Sequence, residues 1–312
     1  MKYRNKKVAL IVPCYNEEVT IYNVVTRFKT AMPEIDAYVF DNNSKDKTTE
    51  EALRAGATVI QVKRKGKGNV VRRMFADVDA DIYVMVDGDN TYEAEAVHKL
   101  VDKLIDEHLD MVVGCREVEP EIAKLAYRPG HQFGNKMLTG SVAKIFGGEF
   151  TDMLSGYRAF SRRYAKSFPA LAKGFETETE LTVHALELRM PYGEVKTAYS
   201  ERPEGSESKL STYKDGIRIL YTIIKLFMRE KPLAFFSIIG AIFALFSVLF
   251  AAPLFTEYLQ TGLVPRLPTA VLSSALMIIA ILSIFCGLIL DSTTIARHEL
   301  KYFSYLNTKD GE

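Results

Sequence analysis

No tryptophan occurs in the 312 residues, so any signature that needs an indole is absent. Cysteine is scarce as well: Cys14, Cys115 and Cys286 are odd in number and scattered, without metal-type spacing. That excludes a disulfide framework and points to a reducing compartment. Net charge is nearly missing, with Lys+Arg 40 against Asp+Glu 39, a balance of +1. No global field therefore marks the chain for nucleic acid. Neither a P-loop nor a dinucleotide fingerprint is present, because the glycines of Lys63-Arg64-Lys65-Gly66-Lys67-Gly68-Asn69 fall at the wrong spacing. A secretory signal is not expected either. Residues Met1 to Lys7 are basic, but the apolar run behind them breaks at Pro13 and turns polar at Asn16-Glu17-Glu18. That run reads as a buried first strand.

What the chain does have is unevenly distributed hydrophobicity. Short Val/Ile-rich runs at Val8–Pro13, Ala37–Asp41, Thr58–Val62, Ile82–Asp87 and Met111–Gly114 predict strands. Between them Glu17–Thr30, Lys47–Ala55, Val70–Ala76 and Ala94–Glu107 carry apolar residues three and four apart and predict helices. Such alternation implies an α/β domain with a mostly parallel sheet. After Pro232 the texture changes. Leu233–Ala252 and Thr269–Leu290 carry no charge, and each is long enough to cross a hydrocarbon core about 30 Å thick. Basic residues flank the pair, with Lys225, Arg229 and Lys231 before it and Arg297 and Lys301 after it. The positive-inside rule then predicts a two-helix transmembrane hairpin with both termini cytoplasmic. Tyr213–Glu230 interleaves Ile217, Leu220, Tyr221, Ile224 and Met228 with Lys214, Arg218, Lys225 and Arg229, as a helix in the headgroup layer does. Ala123–Phe146 fits the same description or that of an ordinary amphipathic helix. The expected organisation is a cytoplasmic domain over 1–212, a juxtamembrane helix over 213–231, spans within 232–291 (about 233–252 and 269–290) and a cytoplasmic tail over 292–312.

Chemistry concentrates where strands end. Ile82-Tyr83-Val84-Met85-Val86 runs into Asp87-Gly88-Asp89, which delivers paired oxygen ligands of the kind hard cations such as Mg²⁺ or Mn²⁺ take. Ligands of open α/β sheets bind at that carboxyl edge. Upstream, Pro13-Cys14-Tyr15-Asn16-Glu17 leaves the first strand, and Asp41-Asn42-Asn43-Ser44 with Asp46 and Thr48 leaves the second. An Asp there can accept from a ring N–H of uracil or guanine, while Asn43, Ser44 and Asp46 also suit a helix cap. The basic Gly-containing loop of Lys63–Asn69 suits anionic phosphate at a helix start. Downstream stand Thr151-Asp152-Met153-Leu154-Ser155-Gly156-Tyr157-Arg158 and Arg202-Pro203-Glu204-Gly205-Ser206-Glu207-Ser208-Lys209.

In this order the motifs resemble family 2 glycosyltransferases of GT-A fold, and among them the polyprenyl-phosphate glycosyltransferases, relatives of dolichyl-phosphate mannose synthase and the bactoprenol glucosyltransferases. The likeness covers about residues 6 to 230, and the two-helix tail resembles the bacterial members. It implies a Rossmann-like GT-A domain followed by interface helices and a membrane hairpin. It also implies that Pro13, Tyr15, Glu17 and Asp41 line the nucleoside pocket, that Arg64, Lys65, Gly66, Lys67 and Gly68 lie by the donor diphosphate, and that Asp87 and Asp89 hold nucleotide and metal. Asp152, with Asp89, would act at the reacting centre, and Arg158, Arg202 and Lys209 would grip the acceptor phosphate. Two positions depart from the pattern. Thr91 stands where relatives often carry Gln, and the stretch from Arg202 to Lys209 is longer than the common R-x-x-G-x-S-K.

The implied activity is inverting transfer of a hexose from a nucleotide-diphosphate sugar, UDP-glucose or UDP-GlcNAc by preference, to a polyprenyl phosphate at the inner membrane. Its partners are that donor, an undecaprenyl- or dolichyl-type acceptor and membrane lipids, with a homo-oligomer open and no nucleic acid. Transfer to a sugar hydroxyl of a lipid-linked glycan, use of GDP-mannose, and a non-catalytic membrane anchor are the alternatives. A processive polysaccharide synthase is excluded, since its Gln-x-x-Arg-Trp signature needs a tryptophan.

Overall fold

The structure, a computed structural model, describes residues 2–117, 131–170, 176–203, 205 and 212–309, apart from the side chains of 131–134 and 212–215. Two compact units emerge: Met1–Ile223 with Lys301–Glu312, and Ile224–Leu300.

The first unit is built on one sheet. Its elements are β1 (Val8–Cys14), α1 (Ile21–Ala31), β2 (Asp36–Asp41), α2 (Thr48–Arg54), β3 (Thr58–Gln61), α3 (Lys67–Asp77), β4 (Ile82–Met85), a 3₁₀ turn (Ala94–Ala96), α4 (Val97–Asp106), β5 (Met111–Glu117), α5 (His131–Phe146), β6 (Arg158–Ser161), α6 (Arg162–Ser167), α7 (Thr177–Glu187) and β7 (Tyr192–Ala198). The seven strands lie in the order β3-β2-β1-β4-β6-β5-β7. All neighbours are parallel except β6, which runs antiparallel to both β4 and β5. β1 lies inside the sheet between β2 and β4, and Val8 to Val12 are fully buried, as a strand covered on both faces requires. One face packs Val24, Val25 and Phe28 of α1 with Leu100 and Val101 of α4. The other packs Val70, Val71, Met74 and Phe75 of α3 with Tyr164 of α6 and Leu181 of α7.

The mostly parallel α/β sheet expected from the sequence is present, and five of its strands coincide with the expected runs to within a few residues. β6 and β7 are additions. β6 is four residues long and opens with a charged residue, so no apolar run announces it. α1 starts at Ile21 rather than Glu17, because Glu17 and Glu18 are spent on contacts to the next loop, described below. In the 123–146 stretch, 131–146 is helical and buries Leu138 and Val142 while exposing Met137; 123–130 lie outside the described residues.

α8 (Thr212–Glu230) leads from the first unit into the second. It leaves Ile217, Leu220, Tyr221, Ile224 and Met228 exposed and buries Ile219, Ile223 and Leu226. Then come α9 (Pro232–Thr261) and α10 (Leu267–Asn307), both long and apolar enough to cross a membrane. They pack antiparallel through small residues at seven-residue spacing, Gly240 and Ser247 on α9 against Ser273, Ala280 and Gly287 on α10. A Cβ at Gly240 would sit 2.9 Å from the Ala280 carbonyl oxygen. Ser247 Oγ donates to the Ser273 carbonyl at 2.7 Å, and Ser273 Oγ returns the bond at 3.0 Å. These bonds satisfy hydroxyls that hydrocarbon would leave bare.

Both helices outrun the expected spans. α9 continues through Pro253 and ends where Gly262 adopts φ 67°. α10 passes Leu290 without a break, because residues 291–307 contain neither Gly nor Pro. Its end, from Lys301 onward, belongs to the first unit. Lys301 pairs with Glu187 at 2.7 Å, and Tyr305 Oη donates to Asp110 at 2.8 Å.

Candidate active site

The carboxyl ends of β1, β2 and β4 form a ledge whose loops are tied to one another. Asn16 N donates to Ser44 Oγ at 2.9 Å, Glu17 N to Thr48 Oγ1 at 2.8 Å, and Lys47 N to Glu18 Oε2 at 2.9 Å. The loops after β1 and β2 are therefore joined by hydrogen bonds. Tyr15 stays exposed on this ledge beside Pro13. Asp41 is buried, and its carboxylate accepts from Ser44 N at 3.1 Å, from Ser44 Oγ and from Thr49 Oγ1 at 3.3 Å. Asp46 accepts from Thr48 N at 3.1 Å in the turn that leads into α2.

The next residue along, Asn42, holds the basic loop. Its amide donates to the carbonyls of Val62 (2.8 Å) and Arg64 (2.9 Å), and its oxygen accepts from Gly66 N at 2.7 Å. Gly66, at φ 115°, turns the chain into α3, a backbone angle that favours glycine. Arg64 and Lys65 remain exposed, and Gly68 is buried within α3. Lys67 behaves differently from its neighbours: its ammonium lies 2.5 Å from Asp87 Oδ1 and 2.5 Å from Glu178 Oε1, with the side chain only 11% exposed. Burial alone would lower its pKa, but the two carboxylates outweigh burial and hold it above the ordinary lysine value.

Asp87-Gly88-Asp89 follows β4 at the centre of this edge. Thr20 Oγ1 donates to the Gly88 carbonyl at 2.6 Å and fixes the hinge. Asp89 is buried, accepts from Thr91 Oγ1 at 2.7 Å, and pairs with Arg202 at 2.6 Å. Burial and then the like charge of Asp87 raise the Asp89 pKa, while Arg202 opposes them. Thr91, the departure from the expected Gln, is thus a hydrogen-bond partner of Asp89. Asp87 is more open, with a side chain 29% exposed. Its carboxylate faces Gly156, whose amide donates to Tyr92 Oη at 3.0 Å. A methyl group at Gly156 would run into that carboxylate. Two carboxylates one residue apart, offering oxygen donors only, suit a hard divalent cation.

Asp152 stands on the loop between α5 and β6. Arg116 donates to it from Nε and Nη2, each at 2.7 Å, and from its backbone N at 3.2 Å; Asn135 adds a bond at 2.9 Å. Burial would raise the Asp152 pKa, but the Arg116 charge and these hydrogen bonds prevail and leave it lowered. Cys115 next to Arg116 offers no thiolate at neutral pH, since burial pushes its thiol up to about 12.

Of the acceptor-side residues, Arg202 joins the acidic pair, and Lys209 lies outside the described residues. Arg158 requires a correction. It is fully buried on β6, and its guanidinium donates to the Ser155 carbonyl at 2.9 Å, to Thr182 Oγ1 at 3.0 Å and to the Met153 carbonyl. No face is left for a lipid phosphate, so Arg158 holds the Asp152 loop in shape instead. The sequence reading missed Arg116, Asn135 and Glu178. The only hint of Glu178 was the run Glu176-Thr177-Glu178-Thr179-Glu180, in which 177–180 are buried despite their polarity.

Comparison with known proteins places this architecture. The profile of "Glycosyl transferase family 2" matches residues 9–168. The glycosyltransferase AglJ of Haloferax volcanii is 34% identical over 239 residues, 75% of this chain and 76% of its own. The undecaprenyl-phosphate 4-deoxy-4-formamido-L-arabinose transferase of Klebsiella pneumoniae is 24% identical across 90% of this chain and 84% of its own. Among solved structures, glucosyl-3-phosphoglycerate synthase of Mycobacterium tuberculosis, in complex with Mn²⁺, UDP-glucose and phosphoglyceric acid, superimposes with a TM-score of 0.57. It is 21% identical and covers 72% of this chain and 80% of its own.

Proposed function

The chain belongs to glycosyl transferase family 2, and from that premise we propose that it moves a hexose from a nucleotide-diphosphate sugar to a polyprenyl phosphate. The observation that carries this reading is the Asp89–Arg202 pair. A motif expected on the acceptor side meets the acidic pair expected on the donor side, and Arg202 lies in sequence just before the apolar helices. Transferases of dolichyl and undecaprenyl phosphate recur among the relatives, which supports a lipid phosphate as acceptor.

In this reading Tyr15 and the knitted loops after β1 and β2 seat the nucleoside, and Arg64 and Lys65 lie along the diphosphate. Asp41 serves the pocket by ordering Ser44 and Thr49 as much as by direct contact, because its oxygens already accept from both. Asp87 and Asp89 would hold Mg²⁺ or Mn²⁺, which when bound would supply charge neutralisation to the leaving diphosphate. Arg202 adds a preorganised positive charge in the same place. The phosphate monoester has a second pKa near 6, so at neutral pH it attacks the anomeric carbon without a strong base. Asp152, ionised and clamped by Arg116, suits orientation of the reactants better than proton abstraction. Displacement inverts the anomeric centre, taking an α-linked donor to a β-linked lipid-phosphate sugar. The exposed apolar face of α8 lies in the headgroup layer, α9 and α10 span the bilayer as a hairpin, and both termini are cytoplasmic.

The test is to incubate the full-length protein in liposomes with undecaprenyl phosphate, Mg²⁺ or Mn²⁺ and a panel of labelled UDP- and GDP-sugars. Label entering the lipid phase with a UDP-hexose is expected. No lipid label with any donor contradicts the proposal.

A further inference from the structure

Helix α7 belongs to no motif in the sequence, yet it reaches Lys67, the lysine paired with Asp87. Glu178, in its first turn, is 5% exposed, and its Oε1 lies 2.5 Å from Lys67 Nζ. The same ammonium lies 2.5 Å from Asp87 Oδ1. One buried positive charge is thus shared between two carboxylates, and the trio carries a formal charge of −1. Asp89 beside it is matched by Arg202.

We propose that Glu178 is a positioning residue that sets how strongly Lys67 holds Asp87, and so tunes the affinity of the acidic pair for a divalent cation. The proposal rests on Asp87 and Asp89 being the cation ligands. An ammonium on Asp87 Oδ1 has two effects. It fixes the carboxylate in one orientation, and it neutralises charge that a cation would use. Glu178 draws part of that ammonium's field away, leaving Asp87 oriented and still anionic. Without the Glu178 charge, Lys67 has Asp87 as its remaining carboxylate in the trio, the pair tightens, and an incoming cation competes against it at short range in a poorly screened site. Changes to groups that orient metal ligands typically cost about 10- to 100-fold in metal affinity. Glu178 makes its charged contact to Lys67, so its influence on the cation passes through that residue.

The experiment is a Mn²⁺ titration of the full-length protein in detergent micelles with UDP present, followed by water-proton relaxation rather than by turnover. It compares wild type, Glu178→Gln, Lys67→Met and the double variant. Glu178→Gln is expected to weaken Mn²⁺ binding about 10-fold or more. In the Lys67→Met background the same change is expected to alter it less than twofold. Equal effects of Glu178→Gln in both backgrounds, or unchanged affinity in the wild-type background, overturn the proposal. If Lys67→Met does not fold, because it strands the buried Glu178 charge, the Glu178→Gln comparison alone decides. Wild type that binds no Mn²⁺ overturns the underlying metal reading as well, which separates the two failures.

Discussion

The carboxylate of Asp152 is held by three bonds from Arg116 and one from Asn135, and their sum decides its protonation. A carboxylate whose folded pKa is depressed contributes stability above its unfolded value, near ~4, and loses that contribution as pH falls through the folded value. Thermal melting of Asp152→Asn should therefore lie below wild type at pH 7, and the gap should close as pH drops below about 4. A gap that persists unchanged to pH 2 would show that the Asp152 charge contributes nothing to the fold. At this scale the sequence was informative about residues that sit in motifs, and silent about their partners. Asp87, Asp89 and Asp152 were visible because their motifs follow one another in the order of the family 2 glycosyltransferases they resemble; a single acidic turn with Gly after a strand is common. Arg116 and Glu178 were not, because Arg116 lies past the apolar run that marks β5 and Glu178 lies on a helix that no run announces.

Among the elements, β6 shows how a motif residue can be misread. Arg158 closes the Asp152-to-Arg158 motif, and the family resemblance implied that it grips the acceptor phosphate. Its burial depends on β6 being inserted antiparallel between β4 and β5, a pairing of residues far apart in sequence that no local period reveals. Replacing Arg158 with Met removes the donors of two buried carbonyls, at roughly 1–3 kcal/mol for each acceptor left open. The expected outcome is a lowered Tm, with the KM for lipid phosphate in the folded fraction close to wild type. An unchanged Tm with a raised KM would restore Arg158 to the acceptor. By contrast β1 to β5 and their helices were legible, since buried strands written as Val/Ile runs and helices with three-four spacing carry their signal locally.

For the whole molecule, the two units differ in what they bury and what they expose. The first buries both faces of a sheet and presents acidic and basic side chains at one edge. The second packs two apolar helices through Gly240, Ser247, Ser273, Ala280 and Gly287 and leaves large aliphatic side chains outward, the pattern expected against lipid. The apolar runs announced that second unit in advance. The return of Lys301 and Tyr305 to the first unit was not legible, because a charged helix end carries no mark of what it will touch. Under the proposed function the acceptor is a lipid whose reactive phosphate stays at the interface. The most direct test is the ³¹P spectrum of the purified glycolipid product made with undecaprenyl phosphate. A phosphodiester resonance replacing the monoester is the predicted result. A product that carries the sugar while its phosphate remains a monoester would contradict the account.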